Sequence, residues 1–217
     1  MYVEAIASCA DDVVSFIFLT WCYNYSGSQT HRFCQQISFD RRLVGDTGDA
    51  ALISVDGTHF PINEPEPFDT LWYSHKFNGP GLAYELGVSI KTGDIVWWNG
   101  PFPAKHPDRT IFRSKLKNLL LPGEKVIGDL GYKGETKVIT ELDANNKAHK
   151  RAMAKLRARH ETLNRRLKQF RCLGDKFRHD RNKHILVFKS VAVLTQISID
   201  LGDIPFQVNT YVDPVIN

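Results

Sequence analysis

A chain of 217 residues, 42% hydrophobic and 24% charged, is long enough to bury one sizeable core, and this composition excludes disordered and fibrous classes. The net charge of +4 hides an asymmetry. Residues 147–189 hold 15 Lys and Arg against three acids (Glu161, Asp175 and Asp180), a local +12, while the rest holds 13 bases against 21 acids, a net −8. A carboxylate-rich body followed by a basic stripe favours a polyanionic partner, nucleic acid ahead of a membrane surface.

Residues 1–45 do not read as a complete domain. Their apolar run, 13–23, is too short to span a bilayer. Asp11 and Asp12 stand before it, where a secretory signal would be positive. Cys9, Cys22, Cys34 and Cys172 form no C-x-x-C pair and read as reduced thiols of a soluble, intracellular chain. His31 and Cys34 read as packing residues rather than a metal pair.

"ALISVDGTHFPI", from Ala51, begins as an apolar, β-branched run that predicts a strand buried on both faces and ended by Asp56 and Gly57. In "LAYELGVSIKTGDIVWWNGP" Tyr84, Leu86, Val88 and Ile90 alternate with Glu85, Gly87, Ser89 and Lys91. That pattern predicts a half-buried strand, a turn at Thr92-Gly93-Asp94 and an antiparallel return through Trp97 and Trp98, both read as hairpin core. "HPDRTIFRSKLKNLLLPGE" predicts a helix capped by Asp108 and stopped by Pro122-Gly123. "EKVIGDLGYKG" predicts a second short buried strand ending at Asp129. A long helix over about 147–173 and an apolar helix over 185–201 complete the pattern. Strand, hairpin, helix, strand and helices make an α/β fold with helices on the faces of the sheet.

Asp56 and Asp129 share a context: each follows a short apolar strand and precedes a glycine-containing turn. Ligands of open α/β sheets bind beyond the carboxyl ends of strands. Two neighbouring strands ending in aspartate repel each other there, and a divalent cation such as Mg²⁺ or Mn²⁺ removes that repulsion. The competing reading is that each aspartate caps its own turn, and Asp94 and Asp108 are assigned to such local duties.

On the long helix Met153, Leu156, His160, Leu163, Leu167 and Phe170 form one apolar face. Glu161 sits at its margin among Arg157, Asn164, Arg165 and Lys168. Spacing alone leaves Glu161 open between an ordinary ion pair and a third ligand beside phosphate-gripping bases. His160 reads as a packing or hydrogen-bonding residue, and His179 and His184 as part of a solvated or phosphate-facing segment.

The stretches "SVDGTHFPI", "VIGDLGYKG" and "RARHETLNRRLKQF", in that order, resemble the motifs of PIF/Harbinger-type transposases and their relatives among DDE superfamily endonucleases. The intervening "WYSHKFNGPGLAYELGVSIKTGDIVWWNGPFP" and the later "FRHDRNKHILVFKSVAVLTQ" are similar to that group as well. The resemblance implies an RNase H-like fold, a mixed sheet of five strands flanked by helices, over a catalytic domain at 46–210. It implies Asp56, Asp129 and Glu161 as catalytic and metal-binding acids, holding two Mg²⁺ or Mn²⁺ ions for phosphodiester hydrolysis and transesterification. Arg157, Arg165 and Lys168 would then contact the DNA backbone.

Such transposases usually carry an amino-terminal DNA-binding region, so 1–45 is expected to be a residual segment of a shortened chain. DNA is the expected partner, with a separate DNA-binding protein and a second copy of the chain as further candidates, and no membrane. The nucleus is the expected location, the cytoplasm the alternative. The rival functional reading is a catalytically inactive or domesticated protein that binds DNA or recruits a partner. A two-carboxylate glycosidase leaves the basic stripe without a role.

Overall fold

The computed structural model describes residues 37–205 except 46, 47, 49, 68 and 145; the run at 13–23, Cys9, Cys22, His31 and Cys34 lie outside the described residues. At the centre is β1 (Ala51–Pro61), apolar or small at nearly every position. It pairs antiparallel with β3 (Gly79–Ser89) from Ile53↔Ser89 to Pro61↔Gly81. On its other edge it runs parallel to β5 (Lys125–Ile127), ending at Ser54↔Ile127. The two-residue β2 (Tyr73–Ser74) and β4 (Ile95–Pro103) both pair with β3, and β6 (Val138–Ile139) runs parallel to β5. The result is a mixed α/β sheet flanked by helices, as expected of an RNase H-like domain.

One face is covered by α3 (Lys147–Gln169) and α5 (His184–Asp200), which bury Leu163, Leu167, Phe188 and Val191 against Phe60, Leu82, Tyr84 and Leu86. The other carries α1 (Asp108–Ser114) and α2 (Leu116–Leu119), whose Phe112 and Leu116 pack with Val55, Val126 and Tyr132. Alternation along β1 divides these roles: Ser54 bonds a side chain of α3 and Phe60 joins its cluster, while Val55 joins the cluster of α1. Among the described residues no helix is long and apolar enough to cross a membrane.

Several local expectations are revised. β1 does not end at Asp56, because its pairing with β3 continues seven residues beyond the last pair it makes with β5. β3 is not half-buried: helices cover both faces, so Glu85, Gly87 and Ser89 are buried too. Glu85 accepts hydrogen bonds from Trp97 Nε1 at 3.0 Å and Tyr132 Oη at 3.3 Å. The helix predicted after His106 is broken at Lys115 into α1 and α2. The long helix stops at Gln169, and the short α4 (Arg171–Gly174) follows.

The hairpin forms as predicted, its turn eased by Gly93 at φ +81°, and both tryptophans pack in or against cores. His184 is not solvated. It is fully buried, stacked on Tyr84 with Nδ1 2.8 Å from the Tyr84 hydroxyl, and burial lowers its pKa to about 4.

Leu163 is fully buried where α3 meets the sheet. Leu163→Ala is expected to lower unfolding free energy by about 2–5 kcal/mol. Urea denaturation measures this, and a loss under ~1 kcal/mol would contradict the packing described.

Candidate active site

The β1–β5 pairing ends at Ser54 and Ile127, and Asp56 and Asp129 each lie two residues further on. The chain at Asp129 is still extended, so the two aspartates stand level with one another. β1 then continues alone along that edge, while β5 gives way to a 3-10 turn at Leu130–Tyr132.

Helix α3 closes the site from above. His160 and Asn164, one turn apart, meet Ser54 and Asp56, two residues apart on one face of β1. His160 Nε2 lies 2.9 Å from Ser54 Oγ, and Asn164 Nδ2 donates to Asp56 Oδ2 at 3.2 Å. Full burial lowers the pKa of His160, which keeps the ring a neutral hydrogen-bonding strut. The sequence reading of His160 is thus met, whereas Asn164 had appeared only as a neighbour of Glu161.

Between these elements lies a pocket of about 200 Å³ lined by Asp56, Asp129 and Glu161 with Ser54, Arg157 and His160. Asp56 and Asp129 are half-buried and Glu161 is exposed at the rim. Asp129 does cap its turn, accepting from Gly131 N through Oδ1 at 2.8 Å. Asp56 caps nothing, being inside a strand. The second oxygen of each, Asp56 Oδ1 and Asp129 Oδ2, accepts no hydrogen bond among the described residues. The donors offered to the pocket are therefore hard carboxylate oxygens, suited to Mg²⁺ or Mn²⁺. Among the described residues no three Asp, Glu, His or Cys side chains converge tightly enough to grip one cation: the acids line a pocket rather than meet at a point.

The sequence passed over two further charged residues at this place. Asp108, predicted to cap α1, is its first residue and caps nothing; Pro107 holds the cap position. Burial raises the Asp108 pKa to about 6, opposed by Lys76 and reinforced by Asp129 and Asp56. Lys76 reaches in from the turn after β2 and donates from Nζ to the Gly57 carbonyl at 2.6 Å. The local cap explanation hid Asp108, and nothing in the pattern around Lys76 marks it.

The basic stripe is less free than its composition suggests. Arg157 pairs with Glu141 at 2.9 Å, both partners well exposed. Arg166 pairs with Asp203, Arg171 with Asp175, and the buried Arg159 donates to the carbonyls of Ser89 and Ile90. Lys168 lies 5.7 Å above the Phe60 ring, and burial lowers its pKa, with Lys76 acting in the same direction and Asp56 opposing. Arg165 is exposed on the same side of α3 as Glu161.

Residues 55–196 match the DDE superfamily endonuclease family, a span that holds Asp56, Asp108, Asp129 and Glu161. A probable transposase for insertion sequence element IS702 from Microchaete diplosiphon is 30% identical over 148 residues, 61% of this chain and 51% of that protein. The chain thus spans about half the length of this curated relative. No solved structure matches it.

Glu85 lies in the sheet opposite Gly57, and burial raises its pKa from 4.5 to about 7. A carboxyl whose folded pKa is raised contributes stability that is complete below 4.5 and lost as pH rises through about 7. Glu85→Gln is expected to remove that part of the slope when urea stability is followed across this range. Parallel curves for the two proteins would contradict it.

Proposed function

The chain belongs to the DDE superfamily endonuclease family, and from that premise we propose that it cuts and joins DNA phosphodiesters at the pocket between β1, β5 and α3. The observation that carries the proposal is the level placement of Asp56 and Asp129 beneath Glu161 around one pocket. Asp56, Asp129 and Glu161 would hold the divalent cations, with Asn164 orienting Asp56 and the Gly131 amide orienting Asp129.

Bound there, Mg²⁺ or Mn²⁺ would activate the attacking oxygen and stabilise the leaving one. The protein's own share is positioning. Each aspartate keeps one oxygen that accepts no hydrogen bond among the described residues, and His160 spans from α3 to Ser54. Water attack would give strand cleavage, and attack by a freed 3′-hydroxyl would give strand transfer. The exposed Arg157–Glu141 pair is worth little, so Arg157 can exchange its partner for a phosphate. With Arg165 and Lys168 it would neutralise the backbone without reading sequence.

Within the family, the three motif stretches and the sequence between them favour the PIF/Harbinger-type group, with 46–210 as the catalytic unit. Specificity for an element end would come from a DNA-binding partner or from self-assembly. A reaction on chromosomal DNA would put the chain in the nucleus, with the cytoplasm as the alternative.

Wild type is expected to nick or linearise supercoiled plasmid in Mg²⁺ or Mn²⁺, and Asp129→Asn to lower that rate at least about a hundredfold. Equal rates would favour the rival reading of a DNA-binding protein without catalysis. Arg165→Ala should reduce the slope of log affinity against log salt by about 1 in a duplex-binding titration. An unchanged slope would remove Arg165 from the contact.

A further inference from the structure

On the side away from β3, β1 loses its strand partner after Ser54 and meets backbone again only where Phe177 N donates to the Pro61 carbonyl at 2.9 Å. Two lysines stand at this open stretch of edge. Lys76 donates from Nζ to the Gly57 carbonyl at 2.6 Å, and Lys168 comes down from α3 to lie 5.7 Å above the Phe60 ring. They are near enough to repel: after burial, Lys76 is what lowers the Lys168 pKa, and both lysines lower that of His59.

Lys76 is held in place rather than left to solvent. Its amide donates to Ser74 Oγ at 3.2 Å, and that fully buried hydroxyl lies 2.7 Å from Nδ1 of the buried His59. The turn that carries Lys76 is thus pinned to β1 at His59, and its ammonium at Gly57. One bond to a carbonyl leaves the ammonium with two further donors. Arg157, Arg166 and Arg171 each pair with a carboxylate, but among the described residues neither Lys76 nor Lys168 does. Holding two like charges side by side is unfavourable unless an anion joins them.

We propose that Lys76 and Lys168 together seat one backbone phosphate of the DNA strand, at the open edge of β1 and next to the phosphate that reacts at the aspartates. The lysines flank β1 between one and four residues beyond Asp56, at about 3.3 Å per residue, so the seat adjoins the pocket without entering it. This rests on the proposed action on DNA. It adds Lys76, from the turn after β2, to a backbone contact otherwise made from α3, and it gives the bound strand a direction, along β1 from Asp56 towards Phe60. Ammonium groups act on phosphate as point charges, so the seat grips any sequence alike.

The test is anisotropy of a fluorescent DNA duplex, titrated in chelator across a salt series. Wild type, Lys76→Gln, Lys76→Arg, Lys168→Gln and the double variant Lys76→Gln/Lys168→Gln are compared as full chains, with thermal melting as the check on folding. Lys76→Gln is expected to weaken binding about tenfold and to flatten the slope of log affinity against log salt by about 1, while Lys76→Arg, which keeps the charge, keeps the slope. Because one phosphate is shared, the loss in the double variant is expected to differ by at least about twofold from the product of the two single losses. A wild-type slope in Lys76→Gln overturns the seat and leaves DNA binding standing. Single losses that simply multiply overturn it too, since the lysines would then hold separate phosphates. Absence of duplex binding by wild type overturns the reading of a protein that acts on DNA, and the seat with it. Melting well below wild type in both Lys76 variants assigns Lys76 to the fold and overturns the seat.

Discussion

The site depends on where one strand pairing stops. β1 and β5 run parallel only to Ser54 and Ile127, and the aspartates that follow are kept level by that register. Slipping the pairing by one residue would turn one aspartate to the opposite face of the sheet. Burial of Ile53, Val55, Val126 and Ile127 prevents that slip, because those apolar side chains would turn with it. The register that packs the core therefore also presents two negative charges side by side.

Everything else around the pocket can be understood as managing that repulsion. Asn164 and the Gly131 amide each donate to one aspartate oxygen, which fixes its orientation. Lys76 and Lys168 lie close enough to influence the charges beside Asp108 and Asp56. His160 spans the gap from α3 to β1 without adding charge. These contacts leave one oxygen of each aspartate without a hydrogen bond among the described residues, an arrangement suited to a divalent cation.

Much of this was legible in the sequence because it was local. The apolar runs before Asp56 and Asp129 gave their strands, the alternation from Tyr84 gave the hairpin, and the apolar face from Met153 to Leu167 gave α3. Glu161 could not be decided from periodicity, since an acid among bases fits a solvated helix equally well. Asp108 and Asn164 were missed because their neighbours at the site lie across long separations. Asp108 had a sufficient local explanation as a cap. The glycines after Asp56 and Asp129 were read as turn residues, but Gly57 lies inside a strand and gives space to another side chain. The count of 15 bases also overstated the free cationic surface, because pairing and burial are invisible in composition.

The central claim is that Asp56 and Asp129 hold divalent cations between β1, β5 and α3. Crystals of the chain grown with Mn²⁺, and diffraction collected at the manganese edge, test it most directly. Anomalous density is expected in the pocket, bonded to oxygens of both aspartates. Manganese bound elsewhere, with both aspartates bare at millimolar Mn²⁺, would contradict it.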